Sequence, residues 1–280
     1  MSNDAAKTLG ALHVPQSPVI LANVWDVASL QAILAINKAP PDDQPVKAVA
    51  TASWAIAAAA GVADEDLGWE LNRDAIARIA PLCRDAGLPL SADLQDGYGS
   101  RIDEVVRAAV GAGVVGANIE DSIPQAGFAA GIAGSLYPLD EQVRRLRVAA
   151  SAAEAAGCRD FVINARCDVF CLEDAALDDE TRIAEAVARG RAFLAAGATT
   201  VFYWGGPRRG MTKAHVERLV RELDGRVAVQ LTAYAGEPTV AELAGLGVAR
   251  ISVGPALYRI AVDAVSRAAS SLFRRGKLPA

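Results

Sequence analysis

The chain has 280 residues, 52% of them hydrophobic, with 28 Lys and Arg against 33 Asp and Glu for a formal net charge of −5. That length is generous for an ordinary domain but suits a single (β/α)8 barrel of about 250 residues, with ample apolar material for a large core. The acidic balance and the scattered basic residues exclude a nucleic-acid groove and an anionic membrane surface, so neither is expected as a partner.

Taken in chain order, one theme repeats: a short β-branched run, a loop, then an Ala/Arg/Glu-rich segment with helical spacing. Strands are expected from Val19, Ala48, Leu90, Gly116, Phe161, Thr200, Val227 and Arg250. Helical patterns fall at Asn72–Ala86, Arg101–Ala112, Leu139–Ala156, Glu180–Ala196, Thr212–Leu223 and Pro255–Phe273. Gly87, Gly197 and Gly247 stand where a left-handed cap ends a helix before the next strand. Eight strands alternating with helices mean parallel pairing with right-handed crossovers. Eight units without a duplicated half favour a closed barrel of the TIM type. No linker or composition break divides residues 1–280, so a single domain is expected.

Two segments break the rhythm. Lys38–Lys47 reads as a proline-stiffened surface loop. Ser122–Pro138 is too long and glycine-rich for a routine connection, and reads as a lid or a passive insertion. Four cysteines in so long a chain speak against a disulfide framework. Cys167 and Cys171 are four apart, but with His13 and His215 as the sole histidines no second pair completes a zinc set. The opening residues hold no apolar stretch of signal-peptide length, and no run approaches the roughly 20 apolar residues of a membrane span. The expectation is a cytoplasmic protein.

In such a barrel the chemistry lies where strands end. Asp93 closes the third strand and Glu120 the fourth. Adjacent strands run about 4.8 Å apart, so these carboxylates converge, and like charges so placed call for a cation of the Mg2+ or Mn2+ kind. Asp96 and Asp121, beside them, read as helix caps or as partners of arginines such as Arg101 or Arg166. Gly97 and Gly99 allow a sharp turn there. Arg166, at the end of the fifth strand, is a planar donor suited to a carboxylate. Thr51, Ala52 and Ser53 end the second strand and could grip a second carboxylate or an oxyanion, or cap a helix. Trp25 and Trp204 could wall the pocket or pack in the core.

The strand-end motifs ATASWAIAAAAGVADEDLG, SADLQDGYG, GANIEDS, INARCDVF, RIAEAVARGRAFLAAGA and ARISVGPALYR occur in this order between about Pro18 and Arg259. Together they resemble the isocitrate lyase/phosphoenolpyruvate mutase superfamily. The resemblance implies a barrel whose last helix swaps between subunits, giving a homodimer or homotetramer, and a bound Mg2+ with a 2-oxo acid or its enolate. It implies that Thr51, Ala52 and Ser53 hold the substrate carboxylate, that Asp93 binds the metal directly and that Glu120 binds it through water. Arg166 would clamp the substrate carboxylate, with Glu185 behind it. Asp64 would be an acid of the site, and Trp25 an aromatic against the substrate.

The departures bear on the reaction. The family's second metal acid is replaced by Gln95, whose amide oxygen can still bond a metal water but removes a charge. The lyases carry a Lys-x-Cys-Gly-His-type motif in the lid, whereas Ser122–Pro138 contains no Cys, His or Lys. Trp204 stands where the mutases have a histidine. The first reading is therefore a metal-dependent lyase or hydrolase acting on a small 2-oxo or 2-hydroxy dicarboxylate through an enolate. A phosphonomutase-type enzyme and a non-catalytic 2-oxo acid binder are the alternatives. A Schiff-base aldolase is disfavoured because Lys47 and Lys213 lie away from strand C-termini.

Overall fold

The computed structural model describes residues 2–40, 43–206, 210–232 and 238–279. Eight strands, β1 (Val19–Val24), β2 (Val49–Thr51), β3 (Leu90–Asp93), β4 (Gly116–Glu120), β5 (Val162–Arg166), β6 (Thr200–Tyr203), β7 (Val227–Gln230) and β8 (Arg250–Ser252), pair in parallel, each with the next. β8 returns to β1 and closes the barrel. The expected strands are all present, within a few residues of where the β-branched runs place them.

The helices are α1 (Ser2–Ala11), α2 (Val27–Ile36), α3 (Ser53–Ala60), α4 (Trp69–Asp85), α5 (Ile102–Ala112), α6 (Gly131–Ser135), α7 (Leu139–Ala155), α8 (Asp179–Ala195), α9 (Lys213–Glu222), α10 (Val240–Leu246) and α11 (Ala256–Arg275). Gly87, Gly197 and Gly247 take φ of +69°, +104° and +100°, the left-handed region that lets each helix turn back to the sheet. Of the loop Lys38–Lys47, Pro41 and Asp42 lie outside the described residues; its base is clamped by the Asn37 amide, which pairs with both backbone groups of Val46.

The periodicity reading did not anticipate α1. This helix closes the N-terminal end of the barrel: Leu9 is fully buried, and a Cβ on Gly116 would meet its Cδ2 at 2.9 Å and the Val162 carbonyl at 2.8 Å. Only glycine permits that approach at the start of β4. Inside, the barrel is unusual. Where such barrels carry branched apolar layers, this one buries Ser91, Asn118, Asn164, Thr200 and Arg250. Register then sets the upper rim: Asp93 lies beside Asn118, and Glu120 beside Arg166.

Candidate active site

The ends of β2 to β5 and the loops after them build this part of the rim. The Asp93 backbone N–H donates to Thr51 Oγ1 at 2.9 Å. Its carboxylate Oδ2 accepts from Ser53 N at 3.0 Å and Ser53 Oγ at 2.9 Å. Ser53 is the first residue of α3, so its amide has no intrahelical partner and is free for an anion. The other oxygen, Oδ1, receives among the described residues only a long 3.4 Å contact from Gln95 N. Across the mouth, Arg166 Nη1 meets Glu120 Oε2 at 2.7 Å and Arg166 Nε meets Asp168 Oδ1 at 2.7 Å. Ser53, Asp93, Gln95, Glu120 and Arg166 line a cavity of about 730 Å³ at the C-terminal ends of the strands. The long loop contributes Ile123, Pro124 and Phe128 to its wall. That loop is pinned at its base, where Tyr137 N donates to Asp121 O at 2.8 Å and Ile123 N to Ser135 O at 2.9 Å.

Asp93, Glu120, Arg166, Gln95, Asp64, Ala52, Ser53 and Trp204 all border this cavity. Thr51 does not: its hydroxyl holds the Asp93 backbone. Trp25 packs edge-to-face on Tyr258 at 5.1 Å, at the root of α11, and lies outside the lining. Glu185 bonds Arg189 at 2.8 Å rather than Arg166, and Arg189 in turn pairs with buried Asp121 at 3.1 Å. Asp96 is structural as well, accepting from Tyr98 N, Gly99 N and Tyr137 Oη while pairing with Arg145. The cap-or-ion-pair reading of Asp96 and Asp121 thus has its partners in Arg145 and Arg189, whereas Arg101 binds surface Glu70 and Glu104.

Asp168 was missed. Fully buried beyond the end of β5, it accepts from Ser122 Oγ at 2.6 Å, Arg166 Nε and Trp204 Nε1 at 2.9 Å. It therefore orients the guanidinium, fixes the loop base and uses the one donor of the indole. The Arg166 guanidinium also stacks on Trp204, 5.2 Å from the ring centroid. Spacing offered one signal: Asp168 follows Arg166 by two, although the strand ends between them.

Carboxylates outnumber cations at the rim. Burial first, then the charge of Asp93, lift the Asp64 carboxyl from 3.8 to about 6. Burial raises Glu120 also, against the attraction of Arg166 and with the repulsion of Asp168, Asp93 and Asp64. A raised acid favours the fold fully below its unfolded pKa, and this contribution is lost as pH rises through the folded value. Asp64→Asn is accordingly expected to be about 2 kcal/mol more stable than wild type at pH 8, the difference vanishing below about pH 4 in urea titrations.

The donor set fits a divalent cation. Oδ1 of Asp93 is open, Arg166 is the cation that Glu120 and Asp168 share, and Gln95 donates its amide N–H to Asp64 O at 2.7 Å, which leaves Oε1 as an acceptor. Among the described residues no three His, Cys, Asp or Glu side chains gather into a cage. Few protein ligands and several waters are the habit of Mg2+.

A parallel barrel with acids and an arginine converging at its C-terminal face has the layout of a barrel enzyme of small molecules. The sequence profile of the phosphoenolpyruvate phosphomutase family matches residues 9–273, and the chain belongs to that family. It is similar to a candidate phosphonomutase from Burkholderia cenocepacia J2315, with 34% identity and a TM-score of 0.81 over 99% of this chain and 100% of that one. A phosphoenolpyruvate phosphomutase from Streptomyces platensis subsp. rosaceus is 25% identical, with a TM-score of 0.75 over 97% and 88%. Oxaloacetate acetylhydrolase with its product oxalate shares the fold at 22% identity, with a TM-score of 0.79 over 99% and 89%. The chain is an enzyme of the phosphoenolpyruvate mutase/isocitrate lyase type. Among the described residues no helix is long and apolar enough to cross a membrane.

Proposed function

We propose that the chain is a Mg2+-dependent lyase or hydrolase that cleaves a bond next to the carbonyl of a small 2-oxo or 2-hydroxy dicarboxylate through an enolate. One observation carries this reading: Arg166 faces the Asp93–Ser53 pair within a single cavity. A carboxylate-binding cation and an oxyanion-binding corner therefore serve the same small molecule. Asp93 would hold the metal directly, with Glu120 and Gln95 reaching it through water. When bound, the metal supplies Lewis-acid stabilisation of charge on the substrate oxygens.

The protein's own groups do the rest. Arg166, locked by Asp168, fixes the substrate carboxylate and so the orientation of the scissile bond. Ser53 N–H and Oγ offer donors once Asp93 turns to a cation. With no Cys, His or Lys between Ser122 and Pro138, proton exchange falls to Asp64, whose carboxyl titrates at about 6, close to working pH. Trp204, its N–H already given to Asp168, presents an apolar wall.

The test is a titration of 2-oxo acids with and without Mg2+, followed by melting temperature and product analysis. Oxaloacetate, the substrate named for the acetylhydrolase, is expected to stabilise the protein and to turn over. Turnover of phosphonopyruvate instead favours the phosphonomutase reading, for which the 34% identical relative speaks. Stabilisation without product from a broad panel favours a binder.

We further infer a homodimer or homotetramer. α11 buries none of its residues, with Val265 69% and Phe273 86% exposed, while Ile20 on the outer face of β1 is 48% exposed. Most of the last helix and Ile20 on β1 are exposed, as fits packing against a second copy. Val265→Glu is expected to give monomers by light scattering, where wild type gives dimers or larger species.

A further inference from the structure

We propose that Asn118 contacts the substrate directly: its side-chain Nδ2 is held facing the cavity as a fixed donor to a carboxylate or enolate oxygen. Arg250, Asn164 and Thr200 act behind it as positioning residues. This rests on the reading above that the ligand is a small organic anion.

The argument starts from hydrogen-bond inventory. An amide oxygen has two lone pairs. Asn118 Oδ1 accepts from Arg250 Nη2 at 3.0 Å and from Asn164 Nδ2 at 2.8 Å, so both are used. Arg250, which has donors only, fixes Asn118 Oδ1 toward itself, so Asn164 presents its NH2 to that oxygen and takes the Thr200 hydroxyl on its own Oδ1 at 2.7 Å. Flipping Asn118 would set its NH2 against two donors. Nδ2 must therefore point the other way, and Asn118 lines the cavity beside Asp93. No partner takes that NH2 among the described residues.

Arg250 shows what the arrangement costs. It is fully buried and has no carboxylate within ion-pair distance among the described residues. Its donors go to neutral acceptors, Asn118 Oδ1, Ser252 Oγ at 3.3 Å and Ser91 Oγ at 3.4 Å, and Nη1 finds none. An unpaired buried charge is unfavourable, and an apolar residue of similar volume would serve stability better. What the cation does achieve is to pull on the Asn118 carbonyl and so strengthen its N–H as a donor in a dry setting. The amide is thus oriented and polarised before any ligand arrives.

The test is calorimetric binding of oxalate in the presence of Mg2+. Asn118→Ala is expected to weaken oxalate about tenfold or more. Asn118→Asp should weaken it further, because a carboxylate oxygen then faces the anion. The same Asp variant should keep or raise the melting temperature of the ligand-free enzyme, since Arg250 gains a counter-charge, so that its lost affinity is not lost fold. Arg250→Met should also weaken oxalate, and Arg250→Lys should recover part of the loss. Equal affinities in those two variants would strip Arg250 of the positioning role. Oxalate affinities of Asn118→Ala and Asn118→Asp within twofold of wild type would overturn the donor assignment while leaving the proposed function intact. Failure of wild type to bind oxalate or any 2-oxo acid would overturn both.

Discussion

Arg166→Ala is expected to lose at least roughly a hundredfold in turnover and about 3 kcal/mol of stability. Both losses follow from one geometry. Arg166 bridges Glu120 and Asp168, whose side chains are 8% and 0% exposed, so its removal strands two buried carboxylates. Breaking a buried pair from one side typically costs about 3–5 kcal/mol, and water from the cavity should hold the value near the lower end. For a chain of this size that is a fall of roughly 6–12 °C in melting temperature. The deficit should shrink on acidification. Burial already raises Glu120, and without Arg166 it takes up a proton more readily, so the penalty grows as pH rises and fades as it falls. Arg166→Lys should recover more stability than activity, because a point charge can sit near the carboxylates but cannot fork between them. Melting curves at pH 5 and pH 8 beside steady-state rates check both. A variant as stable as wild type at pH 8 would contradict the ion-pair account.

Asp93→Ala is expected to behave differently. Activity should fall by more than about a hundredfold, since even groups behind metal ligands are typically worth 10- to 100-fold. Mg2+ should cease to raise the melting temperature in the presence of oxalate. The ligand-free protein should nevertheless melt within a few degrees of wild type. Two hydrogen bonds from Ser53 are lost, but the cavity lets water replace them, and repulsion on Asp64 and Glu120 is relieved. The Asp64 carboxyl should titrate lower as a result, moving its pH-dependent loss of stability to lower pH. If Asp93 served chiefly to cap α3, the opposite pattern would appear: a large loss of stability with the Mg2+ response intact. The two arginine and aspartate variants thus separate a clamp that also holds the rim together from a ligand that strains it.

Much of this was legible in the residues themselves. The eight strands could be placed because most are short β-branched or apolar runs ended by a loop, and several of the helices announce their stop with glycine, signals that depend only on neighbours along the chain. Asp93, Glu120 and Arg166 could be picked out because strand ends of a parallel barrel must converge, a rule of topology that needs no coordinates. Through-space relations were not legible. Asp168 gains its role from Ser122 after β4 and Trp204 after β6, residues 46 and 36 positions away. Thr51 and Trp25 stood at the right strand ends and Glu185 on the helix after β5, but side-chain direction turned them to Asp93, Tyr258 and Arg189. The raised Asp64, the buried Arg250 and the bare face of α11 likewise follow from burial and charge summed over the whole fold. Local propensity determines where elements begin and end, while the energy of a buried charge depends on every group around it, and only the closed barrel brings those groups together.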